Sequence, residues 1–152
     1  MKLYEQAYKI AMKYHAGQFR KNSDIPYFTH PLAVVMALDK KYRGTMSDED
    51  FEILLTLGIL HDVIEDCDIT MAELRDMLSP FGSSYQIPVL FASLAAITKI
   101  KGKTTYFLYL TGVKGDRFAL LVKIEDITHN MSDLTPGTLR DKYELALYYL
   151  TH

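Results

Sequence analysis

Hydrophobic residues recur at helical spacing along most of the chain. From residue 48 to 64, leucine and isoleucine return every three or four positions, which predicts an amphipathic helix entering a core. Similar patterns predict further helices over residues 2–16, 31–38, 71–79, 86–98, 104–110, 116–131 and 138–150. Convincing strand alternation is absent, although the apolar stretch 86–98 also permits a strand. We therefore predict an all-α fold of roughly seven or eight helices.

Local signals mark several of the predicted helix boundaries. Gly17 suits the end of the first helix, because glycine tolerates the left-handed backbone found there. Thr70 and Glu73 form the pattern of a capping box at the start of the fourth helix. We expect the charged stretch from Asp39 to end the second helix and Gly112 to break the sixth.

The composition is that of an ordinary globular protein. The 152 residues are 49% hydrophobic and 24% charged with a net charge of −2, so no basic face for duplex nucleic acid is expected. No linker or repeat divides the chain, and residues 1–152 are interpreted as one domain. The single cysteine, Cys67, excludes an internal disulfide and fits a reducing compartment. With no apolar run of membrane length and no signal-like start, we expect a cytoplasmic protein of undetermined oligomeric state.

The segment His61–Asp66 places one imidazole and three carboxylates where the apolar stripe of the third helix ends. On a continuous helix, His61 and Glu65 would lie one turn apart, as would Asp62 and Asp66. Carboxylates that lose water either shift their pKa or pair with a cation. The crowding of acids beside a core therefore favours a bound metal ion.

Two distant residues, His30 and Asp126, extend this cluster to a possible ligand set of two nitrogens and two oxygens. Such a set suits Mn²⁺, Fe²⁺ or Zn²⁺ better than Mg²⁺ or Ca²⁺. Each residue also has a structural interpretation on its own, because His-Pro pairs often occur in turns and helical aspartates are often solvated. Spacing alone leaves both interpretations open.

Four ordered sequence blocks resemble those of the HD-domain metal-dependent phosphohydrolases. The resemblance is closer to the ppGpp hydrolase domain of the RelA/SpoT proteins and to the stand-alone small alarmone hydrolases. The blocks are AMKYHAGQFRK at residues 11–21, PYFTHPL at 26–32, LHDVIED at 60–66 and VKIEDITHNM at 122–131. Together they span most of the chain.

The resemblance implies a compact multi-helix HD-domain bundle that carries a metal ion, usually Mn²⁺ in this family, although another divalent transition metal is possible. It implies the following roles: metal ligands His30, His61, Asp62 and Asp126; a catalytic pair Glu65 and Asp66; and substrate-binding residues Arg20, Lys21 and Asn130. For Arg20 and Lys21, charge alone equally permits a solvated loop.

The function implied by the resemblance is removal of the 3′-pyrophosphate of (p)ppGpp, the nucleotide of the stringent response, to give GDP or GTP and pyrophosphate. One alternative is an HD hydrolase of another nucleotide, such as NADPH or a nucleoside phosphate. A second is a nucleotide-binding sensor without turnover, against which the intact Glu65–Asp66 pair argues. No synthetase activity is expected.

Two residues in the last block, Ile127 and His129, and one just beyond it, Asp133, bear on substrate recognition and on the metal ligands. Ile127 stands where the family often has an arginine, which predicts a looser ion pair or a change in the phosphate that is recognised. Asp133 stands two positions beyond the block and argues against recognition of guanine specifically. His129 is interpreted as a hydrogen-bonded residue rather than a fifth metal ligand, because Asp126 and Asn130 already define the face of the site.

Overall fold

The computed structural model describes residues 1–152, and its regular secondary structure is helical apart from one isolated bridge between Phe19 and Pro26. The nine α-helices are α1 (Lys2–Tyr14), α2 (Thr29–Tyr42), α3 (Asp48–Leu60), α4 (Val63–Asp66), α5 (Met71–Leu78), α6 (Gln86–Ile97), α7 (Tyr106–Lys114), α8 (Arg117–Met131) and α9 (Thr138–Thr151). A short 3₁₀ helix, Ser79–Phe81, follows α5. The all-α prediction is confirmed, and residues 86–98 form a helix rather than a strand. No helix has both the length and the apolar character needed to cross a membrane.

Helix α3 is the centre of the bundle. Every residue from Ile53 to Leu60 is buried, so this part of α3 is surrounded by protein on all sides and is not amphipathic as predicted. Helices α1, α2, α6 and α8 pack around it. Gly58 allows α2 to approach closely, because an added Cβ would lie 2.8 Å from Leu38 Cδ1. This packing places the C-terminal end of α3, and His61 and Asp62 that follow it, near α2 and α8.

Capping explains several helix starts. Thr70 and Glu73 form the predicted capping box of α5, with both reciprocal hydrogen bonds present. The Ser47 hydroxyl accepts from the Asp50 backbone N–H at the start of α3. Gly17 has a φ of +81°, consistent with its predicted place after α1.

Three predicted boundaries are wrong. Helix α2 continues through the charged stretch to Tyr42, where Lys40 and Lys41 lie favourably in the last turn of the helix dipole. Helix α7 contains Gly112 and ends only at Lys114. The predicted helix 48–64 divides into α3 and the single turn α4, with His61 and Asp62 between them.

Candidate metal centre and nucleotide pocket

The four predicted metal ligands converge in the structure. His30 comes from the first turn of α2, Asp126 from α8, and His61 and Asp62 from the turn between α3 and α4. Their ligand atoms all lie within 4.8 Å of one another. His30, His61 and Asp126 are buried, and the Asp62 side chain is only 14% exposed.

The turn after α3 orients His61. Its Nδ1–H donates to the Gly58 carbonyl at 2.7 Å, which leaves Nε2 as the nitrogen that faces the cluster. Nε2 lies 3.0 Å from Asp62 Oδ2 and 3.3 Å from Asp126 Oδ1. Asp62 departs from helical geometry, with φ −104° and ψ −4°, a region that active-site residues often occupy. The expected continuous helix through His61 and Glu65 is therefore interrupted at the ligands.

His30 is oriented by a second histidine. Its Nε2 lies 2.8 Å from Asp126 Oδ1, while its Nδ1 lies 2.7 Å from Nδ1 of His129. Burial and the neighbouring His30 and Arg20 lower the pKa of His129, so a neutral His129 can accept the Nδ1–H of His30. His129 is thus hydrogen-bonded behind a ligand and lies outside the four-residue cluster, as the sequence interpretation holds.

Both carboxylates of the cluster have hydrogen-bond donors and remain ionised. The Tyr27 hydroxyl donates to Asp62 Oδ2 at 2.6 Å, and the Asn130 amide donates to Asp126 Oδ1 at 3.1 Å. Burial alone would raise the pKa of Asp126, but Lys123 and His61 outweigh it and hold this pKa well below its usual range. The pKa of Asp62 is lowered in the same way, mainly by His61.

These groups fit a divalent transition ion by the chemistry of the donor set. Two imidazole Nε2 atoms and two ionised carboxylates face one another, and the remaining imidazole nitrogens are engaged elsewhere. Although burial disfavours a charged imidazole, Asp62 and Asp126 raise the pKa of His61 well above its usual range. The cluster therefore attracts positive charge at its centre.

Glu65 and Asp66 lie beside the cluster on the short helix α4 and are exposed to solvent. A Glu65 carboxylate oxygen accepts from the Lys99 backbone N–H. Partial burial and the Asp62 charge raise the pKa values of both Glu65 and Asp66. Their carboxylates lie outside the group of four residues that could hold a metal ion.

The three predicted substrate-binding residues line one cavity of about 630 Å³. Its wall includes Arg20, Lys21, Tyr27, Asn130, Asp133 and Tyr143. Arg20 connects the loop before α2 to the end of α8, because its guanidinium donates to Asn130 Oδ1 at 3.1 Å and lies 3.5 Å from Asp133 Oδ2. A cationic cavity with tyrosine walls therefore adjoins the metal cluster through Tyr27 and Asn130.

The departures from the family pattern fall in different surroundings. Ile127 is fully buried in the hydrophobic core, so the missing arginine does not remove a charge from the pocket. Glu125, two positions before Ile127, is also buried and pairs with Lys41 of α2. Asp133, in contrast, lines the cavity.

Sequence reasoning missed three supporting residues. Tyr27 holds Asp62, Lys123 pairs with Asp126 Oδ2 at 2.9 Å, and the Gln18 amide donates to the Asp66 carbonyl at 3.0 Å. All three lie inside the quoted sequence blocks, and Lys123 is one helical turn from Asp126. The i,i+3 spacing of Lys123 and Asp126 is visible in the sequence but is common to solvated helix pairs. Gln18 and Tyr27 contact residues that are distant in the sequence.

Comparisons with known proteins agree with this geometry. No family model matches the chain. It is 33% identical over 147 residues to the bifunctional (p)ppGpp synthase/hydrolase SpoT of Escherichia coli, which covers 92% of this chain and 19% of SpoT. It is 32% identical over 133 residues to a GTP pyrophosphokinase of Streptomyces coelicolor, which covers 84% of this chain and 14% of that protein. The chain thus spans about a fifth or less of the length of these curated relatives.

A solved structure shows the same fold. It comes from work describing a metazoan ortholog of SpoT that hydrolyses ppGpp, and the match covers 99% of this chain and 84% of that one. The TM-score is 0.74 and the sequence identity is 22%. The chain is therefore homologous to a region of the SpoT-type proteins and shares the helical fold of a SpoT ortholog.

Proposed function

We propose that this chain is a metal-dependent phosphohydrolase that removes the 3′-pyrophosphate of (p)ppGpp. The observation that carries the proposal is the convergence of four ligand groups within 4.8 Å beside Glu65–Asp66 and a cationic cavity. Curated relatives support the substrate, since one from Escherichia coli O157:H7, 33% identical over 147 residues, is named guanosine-3′,5′-bis(diphosphate) 3′-pyrophosphohydrolase. The expected products are pyrophosphate and GDP or GTP.

The metal site is assigned to His30, His61, Asp62 and Asp126, and Mn²⁺ is the proposed ion. When bound, such an ion would lower the pKa of a coordinated water to about 7 and polarise a phosphoryl oxygen. The Nε2 atoms of both histidines face the carboxylates of the cluster, and both aspartates are ionised, which supports this assignment.

Glu65 and Asp66 are proposed to handle the protons of the reaction. Water forms a new bond to the phosphorus attached to the ribose 3′ oxygen, and the bond from that phosphorus to the 3′ oxygen breaks. Glu65 orients the water and accepts its proton, and then donates that proton to the departing 3′ oxygen, which becomes a hydroxyl. A raised pKa suits Glu65 for accepting a proton near neutral pH. Asp66 acts directly beside it or holds the surrounding hydrogen bonds.

The cavity is proposed to bind the nucleotide. Arg20 binds phosphate through its planar fork and Lys21 through its point charge, while Asn130 contacts the substrate from α8. Tyr143 offers an aromatic face for the base. The single cysteine fits a reducing compartment, and we propose that the chain acts in the cytoplasm.

One observation favours a second candidate, hydrolysis of another nucleotide such as NADPH or a nucleoside phosphate. Asp133 lines the cavity and already pairs with Arg20, so this pocket presents a negative charge where a phosphate-binding arginine lies. A substrate with a different base or phosphate position would place a different chemical group against the Asp133 carboxylate.

A nucleotide panel tests the proposal. The purified chain is supplied with Mn²⁺ and given ppGpp, NADPH and simple nucleoside phosphates, and pyrophosphate and orthophosphate are measured separately. Pyrophosphate from ppGpp supports the proposal, whereas orthophosphate from another nucleotide alone supports the second candidate. Tight nucleotide binding without any hydrolysis would indicate a sensor. His61→Ala should lose both the metal and turnover.

A further inference from the structure

Lys123 is a buried charged residue that the proposed reaction does not use. It lies on α8 one turn before Asp126, and its side chain is only 16% exposed. Its ammonium group is 2.9 Å from Asp126 Oδ2 and 5.4 Å from the centre of the Tyr109 ring. Lysine is almost never buried unless its charge is paired. The pairing with Asp126 therefore explains why this charged side chain can be largely buried beside the cluster.

The two carboxylate oxygens of Asp126 have separate partners. Oδ1 faces His30 Nε2 at 2.8 Å and His61 Nε2 at 3.3 Å, so it points to the centre of the ligand cluster. Oδ2 accepts from the Lys123 ammonium. A carboxylate can bind a cation through one oxygen or through both. Oδ1 also accepts from the Asn130 amide at 3.1 Å, but it is the oxygen that faces both imidazoles. With Oδ2 held by an ammonium group, Oδ1 is the oxygen placed to bind an ion.

We propose that Lys123 is a positioning residue that restricts Asp126 to one metal-binding oxygen and thereby selects against large cations. Calcium takes six to eight oxygen ligands and readily uses both oxygens of a carboxylate, whereas smaller transition ions accept fewer ligands. The inference rests on the metal site of the proposed function. It adds to that site a residue that determines which ion the site prefers.

The substitution Lys123→Met separates this role from packing. Methionine keeps an unbranched apolar stem against Tyr109 but has no ammonium group, so Oδ2 of Asp126 becomes free to reach the ion. Loss of such a supporting contact typically changes metal affinity by 10- to 100-fold. We expect the preference for Mn²⁺ over Ca²⁺, taken as the ratio of their dissociation constants, to fall about tenfold.

Isothermal titration of the purified full chain with Mn²⁺ and with Ca²⁺ measures this ratio. Lys123→Arg keeps a cationic donor and should retain the wild-type ratio. Lys114→Met is the matched control, because Lys114 also lies over a tyrosine ring, 4.5 Å from the centre of Tyr149, but contacts no carboxylate. It should leave the ratio unchanged.

The outcomes distinguish this inference from the proposed function. A wild-type chain that binds no Mn²⁺ overturns both. A wild-type chain that binds Mn²⁺ while Lys123→Met keeps the full Mn²⁺ preference overturns the role of Lys123 alone. If Lys123→Met does not fold, a crystal structure of the Mn²⁺-loaded wild type decides. Coordination by Oδ1 alone, with Lys123 on Oδ2, supports the inference, and coordination by both oxygens overturns it.

Discussion

Glu125 and Asp126 are adjacent acids on α8 that have opposite surroundings. Both are buried, each 4% exposed, and each pairs with a lysine. Glu125 pairs with Lys41, whose side chain is 54% exposed at the packing of α2 against α8. Asp126 pairs with the buried Lys123 and also faces two imidazoles. Neighbouring residues on a helix point about 100° apart, so Asp126 faces the site and Glu125 faces Lys41 of α2.

The difference shows that burial of an acid does not by itself identify a metal ligand. Glu125 is as buried as Asp126, yet its one charged partner is a lysine that reaches solvent. Asp126 is distinguished by groups from three segments that converge on the same oxygen, Oδ1. Convergence of several nitrogens on one carboxylate is the feature that indicates a cation site.

The sharpest test of this comparison is to neutralise each acid in turn. Asp126→Asn should lose Mn²⁺ and reduce turnover about a thousandfold or more, because metal catalysis contributes several kcal/mol. Glu125→Gln should keep metal and activity and lose only about 1 kcal/mol of stability, because Lys41 is largely solvated. Metal titration, turnover and urea unfolding measure these effects. Equal loss of activity in both variants would contradict the comparison.

Glu65→Gln separates the proton-accepting acid from the ligands. We expect turnover to fall by about 10²- to 10⁴-fold while Mn²⁺ affinity is retained, since Glu65 is outside the ligand set. Pyrophosphate release and metal titration are the measurements. Asp68→Asn, an exposed acid three positions away, is the control and should be fully active. A fully active Glu65→Gln would remove Glu65 from the mechanism.

Gln18→Ala tests how α4, which carries the proposed catalytic pair Glu65 and Asp66, is positioned. The Gln18 side chain contacts His15 Nδ1 at 2.7 Å and donates to the Asp66 carbonyl at 3.0 Å, so it ties the end of α1 to α4. A shift of about 1 Å at a catalytic group can cost up to about 100-fold in rate, so kcat should fall within that range. Mn²⁺ affinity should not change.

Gln6→Ala, on the same first helix and away from the site, is the control for that experiment. Steady-state kinetics and metal titration are compared for both variants. If Gln18→Ala weakened Mn²⁺ binding and left kcat intact, Gln18 would belong to the support of the metal cluster instead of α4.

The smallest effect is expected at a scaffold acid far from the metal centre. The Tyr85 hydroxyl and Arg117 lower the pKa of Asp50 below its ordinary value of 3.8, although slight burial opposes them. The stabilisation is therefore complete above that ordinary value and is lost as the pH falls through the lowered pKa. Asp50→Asn should cost under about 1 kcal/mol at pH 7 and less near pH 3. Urea unfolding at the two pH values measures it; an equal cost at both would contradict the pKa shift.

Much of the fold follows from periodicity and capping. The Thr70–Glu73 box and the apolar stripe of α3 carry their own signals, and the helices they predict are present. The break in the helix after Leu60 is not marked by a glycine or proline in the sequence. It accompanies a hydrogen bond from the His61 ring to the Gly58 carbonyl, which helical spacing does not reveal.

The candidate site likewise contains residues that the sequence predicts and a residue that it does not. The four ligands and the Glu65–Asp66 pair could be chosen from the chain because imidazoles and carboxylates in ordered blocks are informative. Lys123 could not be assigned, since a lysine three residues before an acid is usually a solvated helix pair. Its role depends on the burial that Tyr109 and the surrounding helices impose.

The most direct test of the central claim is product analysis with ppGpp and Mn²⁺. The purified chain should convert ppGpp to equal amounts of GDP and pyrophosphate, and both a metal chelator and Asp126→Asn should stop the reaction. Unchanged ppGpp in the presence of bound Mn²⁺, with the nucleotide held in the pocket, would contradict it.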